Sequence, residues 1–526
     1  LTLVINPARK LTLIFSYLNN TNEIINLLFV NFVKIRLIMS QEVSNIEPVE
    51  VWKNFVLLNQ VPRPSKKEER VIEFLISFAK KNNLEYKRDE IGNLVITKEA
   101  TLDMTACETV VLQSHVDMVH EKNNEVEFDF LNSGIKMYVE GDWVKASGTT
   151  LGADNGLGVA AIMAVLESKE ISHPKIEALF TIDEETGMTG ALNLSDSILS
   201  GKILLNLDTE EDDEICIGCA GGIDITINRS YILNDLPDDE LCAEILLNGL
   251  TGGHSGAEIH KGLGNSNKIL FEILNEIIKH FKISICSING GGLRNAIPRE
   301  SSTVISFSKD NINLLEQIIK KSLQKYKTKF KGTDSNLNLE FQILNDKIEQ
   351  LNYKESVELI DAINNCPNGV FEMSKSIDGL VETSNNLANV KLIEGKLKIM
   401  CLTRSSSEDS KAQLSKVISK IFEDISCNCT FSGGYPGWEP NIDSNTLKEV
   451  KNSYIKLFSS EPKVNVIHAG LECGIIGSHY PEMDMISFGP TILGAHSPDE
   501  KASISSTQKF WSFFTEVLAN IPQKVD

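Results

Sequence analysis

Three consecutive carboxylates, Asp183, Glu184 and Glu185, follow the apolar run 176–182. Like charges this close raise one another's pKa and repel, so a folded protein keeps them together only in water or beside compensating positive charge. A solvated turn after a strand is the simplest interpretation, because charged side chains usually lie outside. A cation site is the alternative, and it requires matching ligands elsewhere in the chain.

A histidine and an acid with suitable spacing come directly after another apolar run, 109–112. His115 and Asp117 are two residues apart, so in an extended segment they point the same way. In many metal sites an acid beside a ligating histidine orients the ring through its second nitrogen. Alone, this pair is more typical of a surface turn than of a metal site.

A third acid, Asp154, lies among the glycines of the segment 152–158, just before a predicted helix. Glycines let the backbone turn tightly and approach another group closely. The segment has neither the GK[ST] nor the GxGxxG pattern of phosphate loops, and the acid would repel a phosphate. The pattern therefore favours a cation.

Two more candidate ligands follow apolar runs later in the chain: Asp208 after 202–207, and His496 in a loop after 484–488. We expect the acids at 210–214, beyond Asp208, to be solvated. Two imidazoles and three carboxylates without a thiolate fit two divalent ions that share one carboxylate, with zinc favoured and manganese or cobalt as alternatives. Two such ions can activate a bridging water and polarise a carbonyl. The predicted ligands are His115, Asp154, Glu185, Asp208 and His496.

The sequence predicts that a helix-covered sheet positions these side chains. The almost continuous apolar strand at 109–112 is typical of parallel strands buried on both faces. Open α/β sheets place ligands at the carboxyl ends of their strands, where these residues are expected to gather. From Ile223 onward, strands and helices alternate in an order that recurs, which indicates a duplicated α+β insertion.

The predicted fold class is therefore α/β: a catalytic domain with a helix-covered, mostly parallel sheet, interrupted by a large duplicated α+β domain. We place the first part of the catalytic domain at 39–222, the insertion at 223–433 and the second part at 434–526. Residues 1–38 are basic where the rest is acidic. They are interpreted as translated sequence upstream of a start at Met39, with an organellar targeting segment as the alternative.

Composition excludes several classes. At 42% hydrophobic and 23% charged residues, the 526-residue chain is neither disordered nor fibrous. A net charge of −21 argues against nucleic-acid binding. The apolar run 24–33 is too short to span a bilayer, which needs about 20 residues. Ten sparse cysteines suggest reduced thiols and not a disulfide scaffold. No membrane partner is expected.

Together these motifs resemble the M20 metallopeptidase family, and more closely its aminoacyl-histidine dipeptidase branch. The resemblance covers the chain from about Ser40 to its carboxyl end. It rests on the segments His115–Asp117, Gly152–Asn155, Asp183–Glu185, Asn206–Asp208, Cys219–Gly222, Gly252–Gly256, Leu293–Arg299, His468–Gly474 and Gly494–Asp499.

The resemblance implies a role for each metal-site residue. His115, Asp154 and Asp208 would hold one ion, and His496, Asp154 and Glu185 the other. Glu184 would be the general base that moves a proton from water to the leaving amine. Asp117, also counted among the catalytic residues, would orient His115.

In the insertion, which the resemblance identifies as a lid and dimerisation domain, His254 would hold the developing oxyanion, reaching the site of a dimer partner. Asn295, Arg404 and Gly470 would bind the substrate's carboxyl end, Arg404 because a guanidinium pairs bidentately with a carboxylate. The expected protein is a cytoplasmic, homodimeric, two-zinc dipeptidase for short peptides such as Xaa-His.

Three alternatives remain at this stage. A deacylase acting on N-acyl amino acids would share the metals and the base. An inactive binding scaffold would not need the complete set of acids and histidines. A serine hydrolase built on His254 and Ser255 lacks a GxSxG elbow.

Overall fold

The computed structural model describes residues 42–345, 348–375, 377 and 379–524. The prediction for residues 1–38 therefore lies outside the described residues. The α-helices are α1 (Val49–Leu58), α2 (Glu69–Lys81), α3 (Ala153–Glu167), α4 (Glu184–Gly187), α5 (Thr189–Leu192), α6 (Ser266–Ile278), α7 (Ile312–Lys329), α8 (Tyr353–Asn365), α9 (Glu408–Glu423), α10 (Asn445–Phe458), α11 (Glu472–His479) and α12 (Ile504–Ala519).

The first eight strands along the chain are β1 (Glu85–Arg88), β2 (Leu94–Lys98), β3 (Val110–His115), β4 (Met137–Glu140), β5 (Trp143–Ala146), β6 (Ile176–Thr181), β7 (Ile203–Asn206) and β8 (Glu214–Cys219). Those that follow are β9 (Gly221–Ser230), β10 (Glu240–Asn248), β11 (Gly253–His254), β12 (Ile283–Gly291), β13 (Ala296–Ile297), β14 (Ser301–Ser308), β15 (Asn338–Leu344), β16 (Gly369–Met373), β17 (Val381–Ile393), β18 (Lys396–Ser405), β19 (Asn428–Tyr435), β20 (Lys463–Ile467), β21 (Asp484–Ser487), β22 (Ile492–Leu493) and β23 (Lys501–Ser503).

The chain divides into two compact units. The first comprises the described residues up to Ile215, then Asp443–Val464, and then the described residues from His479 on. The second comprises Cys216–Ile442 and Asn465–Ser478. β8, β20 and α11 are the elements in which the chain passes from one unit to the other.

The sheet of the first unit has its strands in the order β1-β2-β6-β3-β7-β21. β6, β3, β7 and β21 run parallel, whereas β1 and β2 are antiparallel to their neighbours. Every residue of β3, β6 and β7 is buried, as expected for strands covered on both faces. α3 packs against β3 and is buried along almost its whole length, because its sequence is apolar or small on all sides.

A second, four-stranded sheet of the first unit has the order β22-β23-β5-β4. It joins two distant stretches of chain, since Lys501 in β23 pairs with Lys145 in β5. β5 leads into the glycine-rich segment before α3, and β23 follows the loop that carries His496. This small sheet therefore brings two predicted ligand loops side by side.

In the second unit the sheet order is β15-β10-β14-β12-β17-β18-β9-β19, with antiparallel pairing. Strand, helix, two strands and helix succeed one another as β10, α6, β12, β14 and α7. The same order returns as β15, α8, β17, β18 and α9, apart from the short strands β11, β13 and β16. Residues of all four helices share one hydrophobic core with the sheet. These features confirm the predicted fold class.

Candidate metal centre

His115 ends β3 and is almost fully buried, with 1% of its surface exposed. Its Nε2 lies 3.1 Å from Asp154 Oδ1 and 3.4 Å from Asp208 Oδ1. Its Nδ1 lies 3.4 Å from Asp117 Oδ1, on the opposite side of the ring. One ring nitrogen thus faces two predicted ligands, and the other faces the acid predicted to orient the ring.

His496 comes to the same place from the far end of the sequence. Its Nε2 lies 3.1 Å from Asp154 Oδ2 and 3.0 Å from Glu185 Oε2. Asp154 therefore lies between the two histidines, with one carboxylate oxygen toward each. All five predicted ligands gather at the carboxyl ends of the parallel strands and in the adjoining loops.

The acidic stretch after β6 is held by Asp117. Its Oδ1 accepts a hydrogen bond from the backbone N–H of Glu184 at 3.1 Å, and its Oδ2 accepts one from Glu185 at 3.2 Å. Asp183, which has no predicted role, is buried and accepts hydrogen bonds from the hydroxyls of Thr186 and Thr189. The three neighbouring acids consequently have different surroundings: Asp183 closes the turn, while Glu184 and Glu185 begin α4.

The acids and the imidazoles strongly shift one another's protonation. Burial opposes a charge on His115, but Asp208, Asp117 and Asp154 raise its pKa well above the usual value. Hydrogen bonds to Asp154 and Glu185 raise the pKa of His496 to about 11. Burial raises the pKa of Asp208 to about 6. The carboxylates of the site therefore favour positive charge beside them.

The donor set fits divalent ions. Atoms of His115, Asp154 and Glu185 lie within 4.8 Å of one another. Glu185 Oε1 is buried and has no hydrogen-bond partner among the described residues, which is costly for a carboxylate oxygen unless a cation compensates it. Imidazole nitrogens and carboxylate oxygens without thiolate suit zinc, manganese or cobalt.

A second cluster of three carboxylates, Glu68, Asp117 and Asp183, is equally compact. It is satisfied by hydrogen-bond donors of the protein: Glu68 Oε1 accepts from the backbone N–H groups of Lys66 and Asp183, at 2.7 Å and 3.1 Å. These acids therefore support the turn and are not candidate ligands.

The residues predicted to bind the oxyanion and the substrate belong to the second unit, where His254, Asn295 and Arg404 lie close together. A Cβ atom added at Gly256 would lie 3.1 Å from His254 Cε1 and 3.3 Å from Arg404 Nε, closer than ordinary van der Waals contact, so both side chains lie against this glycine. The carbonyl of Asn295 accepts a hydrogen bond from Ser255 N at 2.8 Å. Gly470 lies in the loop before α11.

The ring of His254 is set up as a hydrogen-bond donor. Its Nδ1 accepts from the backbone N–H groups of Gly256 and Ala257, at 3.3 Å and 3.0 Å. Burial, together with the charge of Arg404, lowers the pKa of His254 and keeps the ring neutral. Because Nδ1 accepts hydrogen bonds, the proton of the neutral ring is on Nε2. Arg404 is itself held, because its Nη1 donates to Tyr435 Oη at 2.8 Å.

Comparison with known proteins identifies the family. The sequence model of peptidase family M20/M25/M40 matches residues 111–520. The cytosol non-specific dipeptidase of Escherichia coli (strain K12) is 40% identical over 484 residues, which is 92% of this chain and 100% of that protein. The chain belongs to the M20 family of peptidases. It is therefore a peptide-bond hydrolase from a family of metal-dependent enzymes.

Solved structures agree with this M20 assignment. The crystal structure of aminoacylhistidine dipeptidase from Vibrio alginolyticus has a TM-score of 0.88 and 39% identity, covering 92% of this chain and 99% of that one. Aminopeptidase PepT from Bacillus cereus ATCC 10987 has a TM-score of 0.53 and 16% identity, covering 90% and 99%, so it shows the fold alone. No helix among the described residues of this M20 protein is long and apolar enough to cross a membrane.

Sequence reasoning missed three buried side chains that hold the loops of the predicted ligands in this M20 protein. Asn155 Nδ2 donates to the carbonyl of Leu207 at 2.6 Å, next to Asp208. Arg63 Nη1 donates to the carbonyl of Asp117 at 3.0 Å. Glu500 accepts backbone N–H bonds from the segment before α3. Only Asn155 carried a usable signal, because it adjoins a predicted ligand.

The prediction that the acids 210–214 are solvated is only partly right, because Glu211 is exposed and the other four are partly buried. The backbone carbonyl of Glu210 accepts a hydrogen bond from Ile492 N at 3.2 Å. Burial raises the pKa of Glu210 to about 8, and the charges of Asp154 and Asp208 add to the effect. A run of acids therefore does not imply that each of them faces water.

Proposed function

We propose that this protein is a two-zinc dipeptidase that hydrolyses short peptides such as Xaa-His. The observation that carries the proposal is the position of Asp154, whose two oxygens face His115 and His496 at 3.1 Å each. A carboxylate shared between two imidazole-containing ligand sets suits a pair of ions. The names of the Escherichia coli and Vibrio alginolyticus relatives, both dipeptidases, support the substrate class.

In this proposal each ion has three ligands from the protein. One set is His115, Asp154 and Asp208, and the other is His496, Asp154 and Glu185. When bound, the ions polarise the peptide carbonyl and make a water nucleophilic at neutral pH. Zinc suits these donors, and manganese or cobalt would use the same atoms.

Glu184 is proposed as the general base. Its carboxylate takes a proton from the attacking water and returns it to the nitrogen of the leaving amine. The backbone N–H of Glu184, bonded to Asp117 Oδ1 at 3.1 Å, fixes the start of α4 from which this side chain projects. Asp117 also faces His115 Nδ1, so it positions the base and one ligand together.

For the second unit we propose the roles expected from the family resemblance. His254 would donate from Nε2 to the developing oxyanion, in line with its neutral tautomer. Arg404, with Asn295 and Gly470, would bind the carboxyl end of the peptide. We further propose a homodimer formed through this unit and a cytoplasmic location. The word cytosol in the name of the Escherichia coli relative supports the location.

The test is hydrolysis by the purified protein before and after chelation and after reloading with zinc, manganese or cobalt. The panel contains dipeptides, tripeptides and N-acyl amino acids. We expect cleavage of dipeptides that stops on chelation and returns with metal. Cleavage that survives exhaustive chelation would refute the metal mechanism. Cleavage of N-acyl amino acids alone would favour the deacylase and refute the dipeptidase.

A further inference from the structure

Glu500 is a buried carboxylate, 2% exposed, whose two oxygens accept backbone hydrogen bonds from one short segment. Its Oε2 accepts from Leu151 N at 2.6 Å and from Gly152 N at 2.9 Å. Its Oε1 accepts from Ala153 N at 2.7 Å, with Asp154 N at 3.4 Å. Successive N–H groups that converge in this way form an anion-binding nest, and here the anion is a side chain of the same protein.

We infer that Glu500 is a positioning residue that fastens the loop of His496 to the loop of Asp154 and so sets the geometry of both metal-ion positions. The inference rests on the proposed function. Glu500 touches neither substrate nor reacting atoms in this scheme, and it acts through the two ligands that its contacts hold.

The His496 loop needs such an anchor. The side chain of His496 is 55% exposed, so packing alone does not fix it. Two successive turns connect it to Glu500: Ser497 N donates to Gly494 O at 3.2 Å, and Glu500 N donates to Ser497 O at 3.1 Å. Glu500 is also the last residue before β23. Fixing the Glu500 carboxylate therefore fixes the turn from which His496 projects.

The Asp154 loop is held on its other side by Arg63. Arg63 is buried, and its Nη2 donates to the carbonyl of Gly152 at 2.5 Å. Gly152 has φ of +70° and no room for a Cβ, which would meet Arg63 Nη2 at 2.5 Å. The peptide groups on both sides of Gly152 are thus clamped between a buried anion and a buried cation, and Asp154 follows two residues later.

If Glu500 only capped α3, its loss would destabilise the fold without a specific effect on the metal-ion positions. Glu177, a buried carboxylate with backbone partners elsewhere in the first unit, provides the matched control. Glu177 is also a buried carboxylate, at 6% exposure, and it accepts from Ser200 N at 2.8 Å and Gly201 N at 3.0 Å. It lies four residues before Thr181, the neighbour of His115 across the sheet, and hence about 13 Å away along the strand. Glu177→Gln removes a comparable anchor at the other end of the sheet.

The experiment compares the full-length protein with its Glu500→Gln and Glu177→Gln variants. Zinc affinity is measured by competition with a chromophoric chelator, and amide hydrogen exchange of the peptide spanning 148–160 is measured on the metal-free proteins. In Glu500→Gln, a side-chain NH₂ replaces one acceptor oxygen. We expect zinc affinity to fall about 10- to 100-fold and exchange at 151–154 to accelerate. Glu177→Gln should leave both quantities as in the unmodified protein.

Glu500→Asp keeps the charge but is one methylene shorter, so it serves if the Gln variant fails to fold; we expect the same two changes, smaller in size. Equal zinc affinity and equal local exchange in the Glu500 and Glu177 variants would overturn the inference. If the unmodified protein bound no zinc or cleaved no dipeptide, the proposed function would fail. The exchange measurement would still decide whether Glu500 holds the loop.

Discussion

Asp117→Asn should damage the turn before α4. Among the described residues the carboxylate of Asp117 accepts three hydrogen bonds, from Glu184 N at 3.1 Å on Oδ1 and from Glu185 N at 3.2 Å and Ser65 Oγ at 2.8 Å on Oδ2, and its Oδ1 also lies 3.4 Å from His115 Nδ1. An asparagine replaces one of the two oxygens by an NH₂ group. Either orientation leaves at least one backbone N–H without an acceptor and sets the amide NH₂ group against it.

The size of the effect follows from these contacts. A hydrogen bond to a buried charged group is worth about 1.5 to 3 kcal/mol, so the loss of at least one should lower the free energy of unfolding by about 2 kcal/mol or more. Because the same bonds hold Glu184, Glu185 and the ring of His115, metal affinity should also fall, by about 10- to 100-fold. The value of kcat should fall with it even when zinc is saturating, since the proposed base, Glu184, is displaced.

Ser65→Ala is the matched control for Asp117→Asn. It removes a single hydroxyl donor from Oδ2 and leaves the backbone contacts in place, so we expect a loss of only about 1 kcal/mol and a much smaller change in kcat. Urea unfolding of the metal-free proteins, zinc competition and dipeptide hydrolysis measure the three quantities. If the two variants had the same kcat and zinc affinity, Asp117 would not position the site.

Three further outcomes are expected. Glu184→Gln should lower kcat about 10²- to 10⁴-fold with metal content unchanged, whereas Glu185→Gln should lose metal. Kinetics and metal analysis separate the two variants. Equal metal loss in both would contradict the assignment of Glu184 as base and Glu185 as ligand. Removing the ions with a chelator should lower the melting temperature measured by calorimetry, because the ions bind the folded state, and an unchanged value would speak against bound metal. Burial, with the charge of Arg404, lowers the pKa of His468 to about 4, below the value of about 6.5 in the unfolded chain. The contribution of His468 to stability is therefore complete above about pH 6.5 and is lost as the pH falls toward 4. His468→Gln should consequently flatten the decrease in unfolding free energy on the acid side, which urea titrations at several pH values measure. An unaltered pH profile would be evidence that His468 does not titrate in this way.

Much of the fold could be predicted because it depends on local patterns. The buried runs that became β3, β6 and β7 are apolar from end to end, which is typical of parallel strands under helices. The repeated order of strands and helices in the second unit is also visible in the sequence. The residue limits of the predicted domains stay predictions.

The supporting residues of the site could not be predicted, because their contacts join parts of the chain that are far apart. Glu500 lies 349 residues from Leu151, and Arg63 lies 89 residues from Gly152. In sequence, Glu500 is one more acid in an acidic chain, and Arg63 is a basic residue between two prolines. Only the packing of β23 beside β5 gives Glu500 its partners.

The acids of the first unit separate according to their hydrogen-bond donors. Backbone N–H groups and hydroxyls satisfy Asp117, Asp183 and Glu500, so these carboxylates act as rigid supports. Asp154 and Glu185 have imidazole rings as their neighbours instead. Because the backbone donors are bonded to the supporting acids, the other acids must be neutralised by cations. This division explains how so many carboxylates can be packed together, and it predicts that a metal ion stabilises the fold as well as the reaction.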